Sequence, residues 1–345
     1  MLATYLSLSM MTAISGAAAG PVPIKPGPTI EYGELAFYPE RWKEKKISTT
    51  LVPWNGERVV FLTTTRPLDA GAVTRFVRRI DAGWKLYTEL TGRSPTILKQ
   101  IDGKPVIAAI PSADLTCGYG CGMVGATGIE LGGFYDNDYP LVLRSPKAFP
   151  HYVFYEMGRN FYTFGDRHSL FVTGYAVFMR YICMDTLGCE DRDRATRVTI
   201  EKAEALYSKT RELRFLQAFT TLDGYDEKKN RLAVSPSDQP VLYTSAMLKL
   251  HRECGKADWL KRFYAALAQC PEVKVETKED GLRQSLSWYV SASIAARRDL
   301  APLFCDRWKF PLSAKARKAA GEVPWAKPTL TITAALSAIP ADFAP

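Results

Sequence analysis

The sequence predicts an α+β fold in which a small mixed sheet with helices comes first and a mostly α-helical part follows. Residues 47–150 alternate between strand-like and helical patterns, whereas residues 151–315 keep the 3.6-residue apolar period of helices almost throughout. The chain of 345 residues is long enough for two or three packed units. With 47% hydrophobic and 23% charged residues, its composition excludes disordered, collagen-like and coiled-coil proteins.

The N-terminus predicts an export signal over residues 1–19. This segment has no charged side chain, carries an apolar run and ends in Ser15-Gly16-Ala17-Ala18-Ala19, a small-residue pattern typical of signal cleavage. A Pro-rich lead over 20–46 follows. No later stretch predicts a membrane span, so we expect a secreted, periplasmic or cell-envelope protein without a stable span after signal cleavage. A short buried or membrane-anchoring helix is the alternative.

The α+β part, residues 47–150, is predicted element by element. The apolar, β-branched pattern over 47–65 surrounds Trp54-Asn55-Gly56 and predicts a two-stranded hairpin. Apolar residues at spacings of three and four predict an amphipathic helix over 69–90. A strand is predicted at 104–111, and Ile129-Glu130-Leu131 is predicted to be a short edge strand after a glycine-rich stretch.

The apolar period of the helical part predicts six helices before the Pro- and Ala-rich tail. Gly188 indicates the C-terminal end of the second helix. The predicted helices cover residues 149–164, 170–187, 196–218, 241–254, 257–268 and 282–296. The Pro- and Ala-rich tail over 316–345 is predicted to be irregular, with one strand-like piece at 330–332.

Charge gives no indication of a nucleic-acid partner. The net charge is +9, but the 45 basic residues are interspersed with 36 acidic ones. The most basic stretch, 309–327, lacks a recognisable nucleic-acid-binding fold or groove, and we expect it to be a solvated surface rather than an anion-binding site.

Seven cysteines permit disulfide bonds in an exported protein. The pairs Cys117 with Cys121 and Cys183 with Cys189 are close enough in sequence to close small loops. The sequence does not determine the connectivity, and an odd cysteine remains.

Residues 155–161, Tyr155-Glu156-Met157-Gly158-Arg159-Asn160-Phe161, carry the most informative motif. This segment resembles the HExGHN-aromatic form of the zinc helix in gluzincin metallopeptidases, of the enhancin-like branch. Thr173-Gly174-Tyr175-Ala176 resembles the E-G-aromatic-A segment that supplies the third zinc ligand in that family. The resemblance implies a zincin-like N-terminal part, a substrate cleft and an edge strand that pairs with extended substrate, here Ile129-Glu130-Leu131.

At the three positions that match the zinc ligands of the family, this chain has none of the ligand residues. Tyr155 and Arg159 stand where the family has histidines, Thr173 stands where it has the ligand glutamate, and Glu156 matches the general base. Tyr and Thr are poor zinc ligands, and a guanidinium repels the cation. We therefore expect no metal and no cofactor. Glu156 and Arg159, three residues apart on one helix, are expected to form an ion pair in which Glu156 stays charged.

The expected function is that of a zinc-free pseudopeptidase that binds a peptide, glycopeptide or cell-surface polymer. Glu156 is the one candidate catalytic residue. The candidate ligand-binding residues are Tyr155, Arg159, Thr173, Tyr175, Ile129, Glu130 and Leu131.

Three alternatives stay open. The chain could be a hydrolase that uses Glu156 and Arg159 in altered chemistry, or a structural envelope protein. A relocated metal site at His151, Asp166 and His168 is a further hypothesis. The sequence contains neither a G-x-S-x-G elbow nor a phosphate-binding loop.

Overall fold

The computed structural model describes residues 22–164, 169–190, 193–220 and 238–344. Within these ranges the protein has the predicted α+β class, with a mixed sheet and with helices that dominate toward the C-terminus. The predicted export signal over 1–19 lies outside the described residues, as do Asp166 and His168. Within the same ranges, no helix combines the length and the apolar character needed to cross a membrane.

The described strands form one seven-stranded sheet. They are β1 (Ile30–Glu31), β2 (Thr50–Asn55), β3 (Val60–Thr63), β4 (Gln100–Ile101), β5 (Lys104–Ala109), β6 (Gly120–Gly122) and β7 (Ile129–Leu131). The spatial order is β1-β2-β3-β5-β7-β6, and β4 pairs with β5 beside this path. The pairs β3–β5 and β5–β7 are parallel, and β6 is antiparallel to β7.

The predicted hairpin and its following helix are both present. β2 and β3 pair antiparallel, with Trp54 opposite Phe61. After the short helix α1 (Pro39–Glu44), the first long helix is α2 (Ala70–Thr91), which begins after Asp69, whose side chain accepts a hydrogen bond from an amide of the first turn. Asp81 of α2 accepts hydrogen bonds from three consecutive amides of the hairpin turn at 2.8–3.1 Å, so the helix and the turn stabilise one another.

The sheet separates two apolar clusters. Side chains alternate between the two faces of a strand, so Val60 and Leu62 of β3 face the smaller cluster, which includes Trp42 of α1. Phe61 and Ile107 face the larger cluster, which continues into the helical part.

A π-helical turn at Phe134–Asp138 follows β7, and nine of the ten remaining helices named here come next. They are α3 (Tyr139–Arg144), α4 (His151–Phe161), α5 (Ser169–Thr186), α6 (Arg194–Lys209), α7 (Phe215–Phe219), α8 (Asp238–Cys254), α9 (Lys256–Leu267), α10 (Lys278–Ala296) and α11 (Ala314–Glu322). A further helix, α12 (Ile332–Ala338), lies near the C-terminus. The helix α5 packs against α4 and α8, and α10 packs against α9.

The helix predicted at 196–218 is wrong as a single element, because the chain folds there as α6 and α7. The backbone is extended at Thr210, where α6 ends. The Lys309 ammonium group donates to the carbonyl oxygens of Tyr207 and Leu213, at 3.4 and 2.9 Å, and also to that of Thr210. This cation therefore stabilises the C-terminal end of α6 and the turn that leads from it to α7.

The prediction of an irregular tail over 316–345 is also wrong. Residues of this tail form most of α11 and all of α12, and residues 330–332 contain no strand. Ser313 and Thr331 cap the two helices by accepting from the amides of Ala316 and Ala334. Alanine has the highest helix propensity, and buried alanines on both helices contact the core. The caps and this packing stabilise the two helices although prolines lie nearby in the sequence.

Candidate functional site

The two segments that resemble the gluzincin motifs lie on packed helices. Gly158 of α4 faces Ala176 of α5, and a Cβ atom at position 158 would lie 2.8 Å from the Ala176 Cα. Glycine therefore allows the two helix backbones to approach closely. Tyr155 on α4 and Thr173 on α5 are both half-buried.

The prediction that Ile129–Leu131 is an edge strand is wrong. This strand, β7, lies between β5 and β6, and its three residues are at most 1% exposed. Glu130 faces the smaller cluster, where its Oε1 accepts from the Tyr32 hydroxyl at 2.8 Å and from the Phe37 amide at 2.9 Å. An incoming peptide therefore cannot pair with β7.

The sheet ends instead at β6, an antiparallel strand that lies on α4. Its sequence, Gly120-Cys121-Gly122, is too short and too glycine-rich to carry a strand signal. A disulfide bond joins Cys117 to Cys121 and closes the loop that leads into the strand.

The second close cysteine pair is not bonded. Cys183 and Cys189 are free thiols. Cys183 is buried in α5 against Gly83, whereas the Cys189 sulfur accepts a hydrogen bond from Arg79 at 3.3 Å. Each sulfur therefore has its own packing partner on α2.

Glu156 lies beneath β6 and is 6% exposed. The Gly122 amide donates to its carboxylate. A Cβ atom on Gly122 would lie 2.7 Å from the Glu156 carbonyl oxygen and 3.0 Å from Oε2, so only glycine permits this approach. The edge strand thus covers the carboxylate that matches the general base of the family.

The predicted ion pair of Glu156 and Arg159 is present. The Arg159 Nε lies 3.7 Å from Glu156 Oε2 and donates to the Gly122 carbonyl oxygen at 3.2 Å. The Arg159 side chain is 32% exposed. Its two Nη groups make no hydrogen bond within the described part of the chain. Glu156 and Arg159 together therefore bind both backbone polar groups of Gly122.

Burial dominates the electrostatics of Glu156. Desolvation raises the pKa of Glu156 to about 7, and the Arg159 guanidinium and the Gly122 amide oppose this rise only in part. The expectation that the ion pair keeps Glu156 fully charged is therefore wrong near neutral pH. The guanidinium is too distant and too well solvated to offset the burial.

Tyr175 does not join Glu156. It is 1% exposed, and its ring packs against Tyr162 and Tyr264 at centroid distances of 5.4 Å. These contacts place it among the helices of the C-terminal part.

Sequence reasoning missed Tyr152, Asp138 and Tyr119 beside the site. The Tyr152 hydroxyl donates to the buried Asp138 carboxylate, and its ring packs edge-on against Tyr119 at 4.7 Å. Tyr119 is 45% exposed, between the two disulfide-bonded cysteines. Helical spacing one turn before Glu156 indicates Tyr152, but no sequence signal connects it to the other two residues.

The residues at the three positions that match the zinc ligands of the gluzincin motifs do not fit a zinc ion. A guanidinium already bonded to Gly122 and paired with Glu156 occupies one of them, and the other two are Tyr155 and Thr173. Among the described residues, no three His, Cys, Asp or Glu side chains form a group that could hold a metal ion.

No protein-family model matches the sequence, and no curated protein matches it. The structure is similar to that of a functionally unknown conserved protein from Bacillus anthracis str. Ames, with a TM-score of 0.52 and 12% identity over 84% of this chain. A mutant of a functionally unknown conserved protein from the same organism gives a TM-score of 0.49 and 12% identity over 80% of this chain. The chain spans 56% and 53% of the lengths of these two proteins. At this identity the first similarity shows a shared fold alone.

Proposed function

We propose that the chain is an exported, gluzincin-like pseudopeptidase that binds an extended peptide where β6 meets α4 and does not hydrolyse it. The observation that carries this proposal is the Arg159 guanidinium. Its Nε is fixed by the Gly122 carbonyl oxygen, its side chain is one-third exposed, and its Nη groups have no partner among the described residues. A guanidinium fixed in this way suits a carboxylate or carbonyl oxygen.

The edge strand supplies the second part of the proposed site. Residues 119, 121 and 123 point their backbone groups toward β7, so Gly120 and Gly122 point theirs outward. A peptide strand could add to this edge. Because Glu156 and Arg159 already bond the amide and the carbonyl oxygen of Gly122, a peptide strand would pair with Gly120. Arg159 would keep its bond to Gly122 and offer its Nη groups to a peptide carboxylate.

A depression of about 240 Å³ lies beside the edge strand and includes Tyr119 and Tyr152 in its lining. The exposed Tyr119 ring gives this depression an aromatic wall. Aromatic walls suit apolar side chains and the faces of sugar rings. A glycopeptide or a cell-surface polymer would therefore also suit this depression.

The test is selection of random octapeptides on the purified protein, followed by fluorescence anisotropy with the selected peptides. We expect Arg159→Gln to weaken binding by about tenfold or more, since it removes the guanidinium that would bind the peptide carboxylate. Arg262→Gln is the matched control, because Arg262 is half-buried and also donates through Nε to a backbone carbonyl. The proposal fails if no peptide is selected, or if both variants bind alike.

Metal content is an independent test of the same proposal. Protein purified without chelator is expected to contain no stoichiometric zinc by elemental analysis, because the side chains at the three former ligand positions do not fit the ion. One bound equivalent of zinc would contradict the pseudopeptidase.

A hydrolase is the second candidate, and the pKa of Glu156 favours it. A carboxyl group whose pKa is near 7 is suited to act as a general base at neutral pH. Turnover of peptides or glycopeptides that is lost in Glu156→Gln and kept in Glu57→Gln, an exposed control, would favour this candidate. A structural envelope protein would select no ligand and would tolerate Arg159→Ala apart from any loss of stability.

A further inference from the structure

The disulfide bond closes the loop that carries two residues of the proposed peptide site. Cys117 and Cys121 are bonded across a sequence separation of four. Inside this loop lie Tyr119, whose ring lines the depression, and Gly120, with which the peptide strand would pair. The other five cysteines are free thiols. A reductant of disulfides would therefore act on this bond.

The bond lies on the face of β6 that α4 does not cover. The close approach of Gly120 to the Tyr152 ring and of Gly122 to Glu156 turns the glycine face of the strand toward α4. Because side chains alternate along a strand, the Cys121 side chain lies on the opposite face. β6 therefore packs on α4 through glycine backbone, and its one side chain belongs to the disulfide.

The two ends of this segment are held differently. At its far end, the Met123 carbonyl oxygen accepts from Asn160 Nδ2 at 2.9 Å, and Asn160 is fully buried in α4. At its near end, the Tyr119 carbonyl oxygen accepts from the amides of Gly132 and Gly133 at 2.9 and 3.2 Å. The near end thus has backbone hydrogen bonds and the disulfide, so its geometry depends more on the disulfide.

We propose that the bond between Cys117 and Cys121 is a redox-sensitive lock on the peptide site. A dithiol reductant opens it, and the loop then loses the fixed positions of Tyr119 and Gly120. Closing a loop of four or five residues restricts the chain by an entropy equivalent to about 20- to 30-fold in an equilibrium constant. The effect on peptide binding rests on the proposed function.

The structure gives the reductant access to one of the two sulfur atoms. Cys117 is exposed, whereas Cys121 is half-buried. A thiolate of the dithiol attacks the Cys117 sulfur, a mixed disulfide forms, and Cys121 leaves as a thiolate that takes up a proton. The second thiol of the reductant then attacks its own sulfur in the mixed disulfide and releases Cys117. Two electrons pass to the protein, and the dithiol becomes a disulfide.

Reduction is expected to act locally. Neither cysteine belongs to the two apolar clusters that form the core. We therefore expect dithiothreitol to reduce the native protein without denaturant and to leave its far-ultraviolet circular dichroism unchanged. Reduction that occurs only when the whole protein unfolds would overturn the proposal.

Amide hydrogen exchange tests the lock without any peptide. In mass spectrometry of peptic fragments, exchange over residues 117–122 is expected to rise about 20- to 30-fold on reduction, and exchange in α2 is expected to stay the same. Cys117→Ser combined with Cys121→Ser should exchange like the reduced protein and should not respond to dithiothreitol. Cys254→Ser removes a half-buried free thiol and should behave like the native protein. Equal exchange in the oxidised and reduced proteins would overturn the lock.

Fluorescence anisotropy with the selected octapeptides tests the link to binding. We expect reduction to weaken their affinity about tenfold, because binding must then order the loop. The double serine variant should bind as weakly as the reduced protein. Peptides that depend on Arg159 but bind both redox states alike would overturn the lock and leave the proposed function standing. If no peptide is selected, the proposed function fails together with its redox control, whatever the exchange shows.

Discussion

We expect Gly158→Ala to lower the free energy of unfolding by about 2 kcal/mol, although alanine is the better helix former. A Cβ atom at this position would lie 2.8 Å from the Cα of Ala176 and 3.1 Å from its Cβ. Both contacts involve atoms fixed to a helix backbone, so relief requires α4 and α5 to move apart. Urea denaturation followed by circular dichroism measures the change.

Gly321→Ala is the matched control for this prediction. Gly321 is exposed near the end of α11, and a Cβ atom there would contact nothing within 4 Å. The intrinsic preference of helices for alanine should then act alone and raise stability by about 0.5 kcal/mol. If both substitutions raised stability alike, the close crossing of α4 and α5 would be contradicted.

The second large effect is expected from Glu156→Gln, through the dependence of stability on pH. The folded protein has a pKa of about 7 at Glu156, above the ordinary value of 4.5. Between these values the folded state binds more protons than the unfolded state, so stability should fall as pH rises from about 4.5 to 7. The loss should reach about 3 kcal/mol, at 1.36 kcal/mol for each unit of pKa shift.

Glu156→Gln removes this titration but keeps the shape of the side chain and its acceptor for the Gly122 amide. The variant should match the native protein in stability near pH 4 and exceed it at pH 8 in urea denaturation. Glu57→Gln changes an exposed carboxylate and should follow the native pH profile. If the free energies of unfolding of the native protein and Glu156→Gln changed with pH in parallel, burial would not raise the pKa of Glu156, and the prediction would be contradicted.

The local elements could be predicted from the sequence because short-range patterns determine them. The hairpin, α2 and the i,i+3 pair of Glu156 and Arg159 depend on residues within a few positions of one another. The same reasoning failed at the tail, where an excess of proline obscured two capped, alanine-rich helices that pack on the core.

The sequence by itself determined the hairpin, α2 and the helices α4 and α5 that carry the site, and that guanidinium, phenol and hydroxyl groups stand at the positions that match the zinc ligands of the gluzincin motifs. Only the tertiary structure decided that β6 is the edge of the sheet, because strand order depends on pairing between distant segments. It also decided that burial beneath β6 raises the pKa of Glu156. The desolvation of a side chain depends on atoms from several elements that are distant in sequence, so no local sequence pattern predicts it.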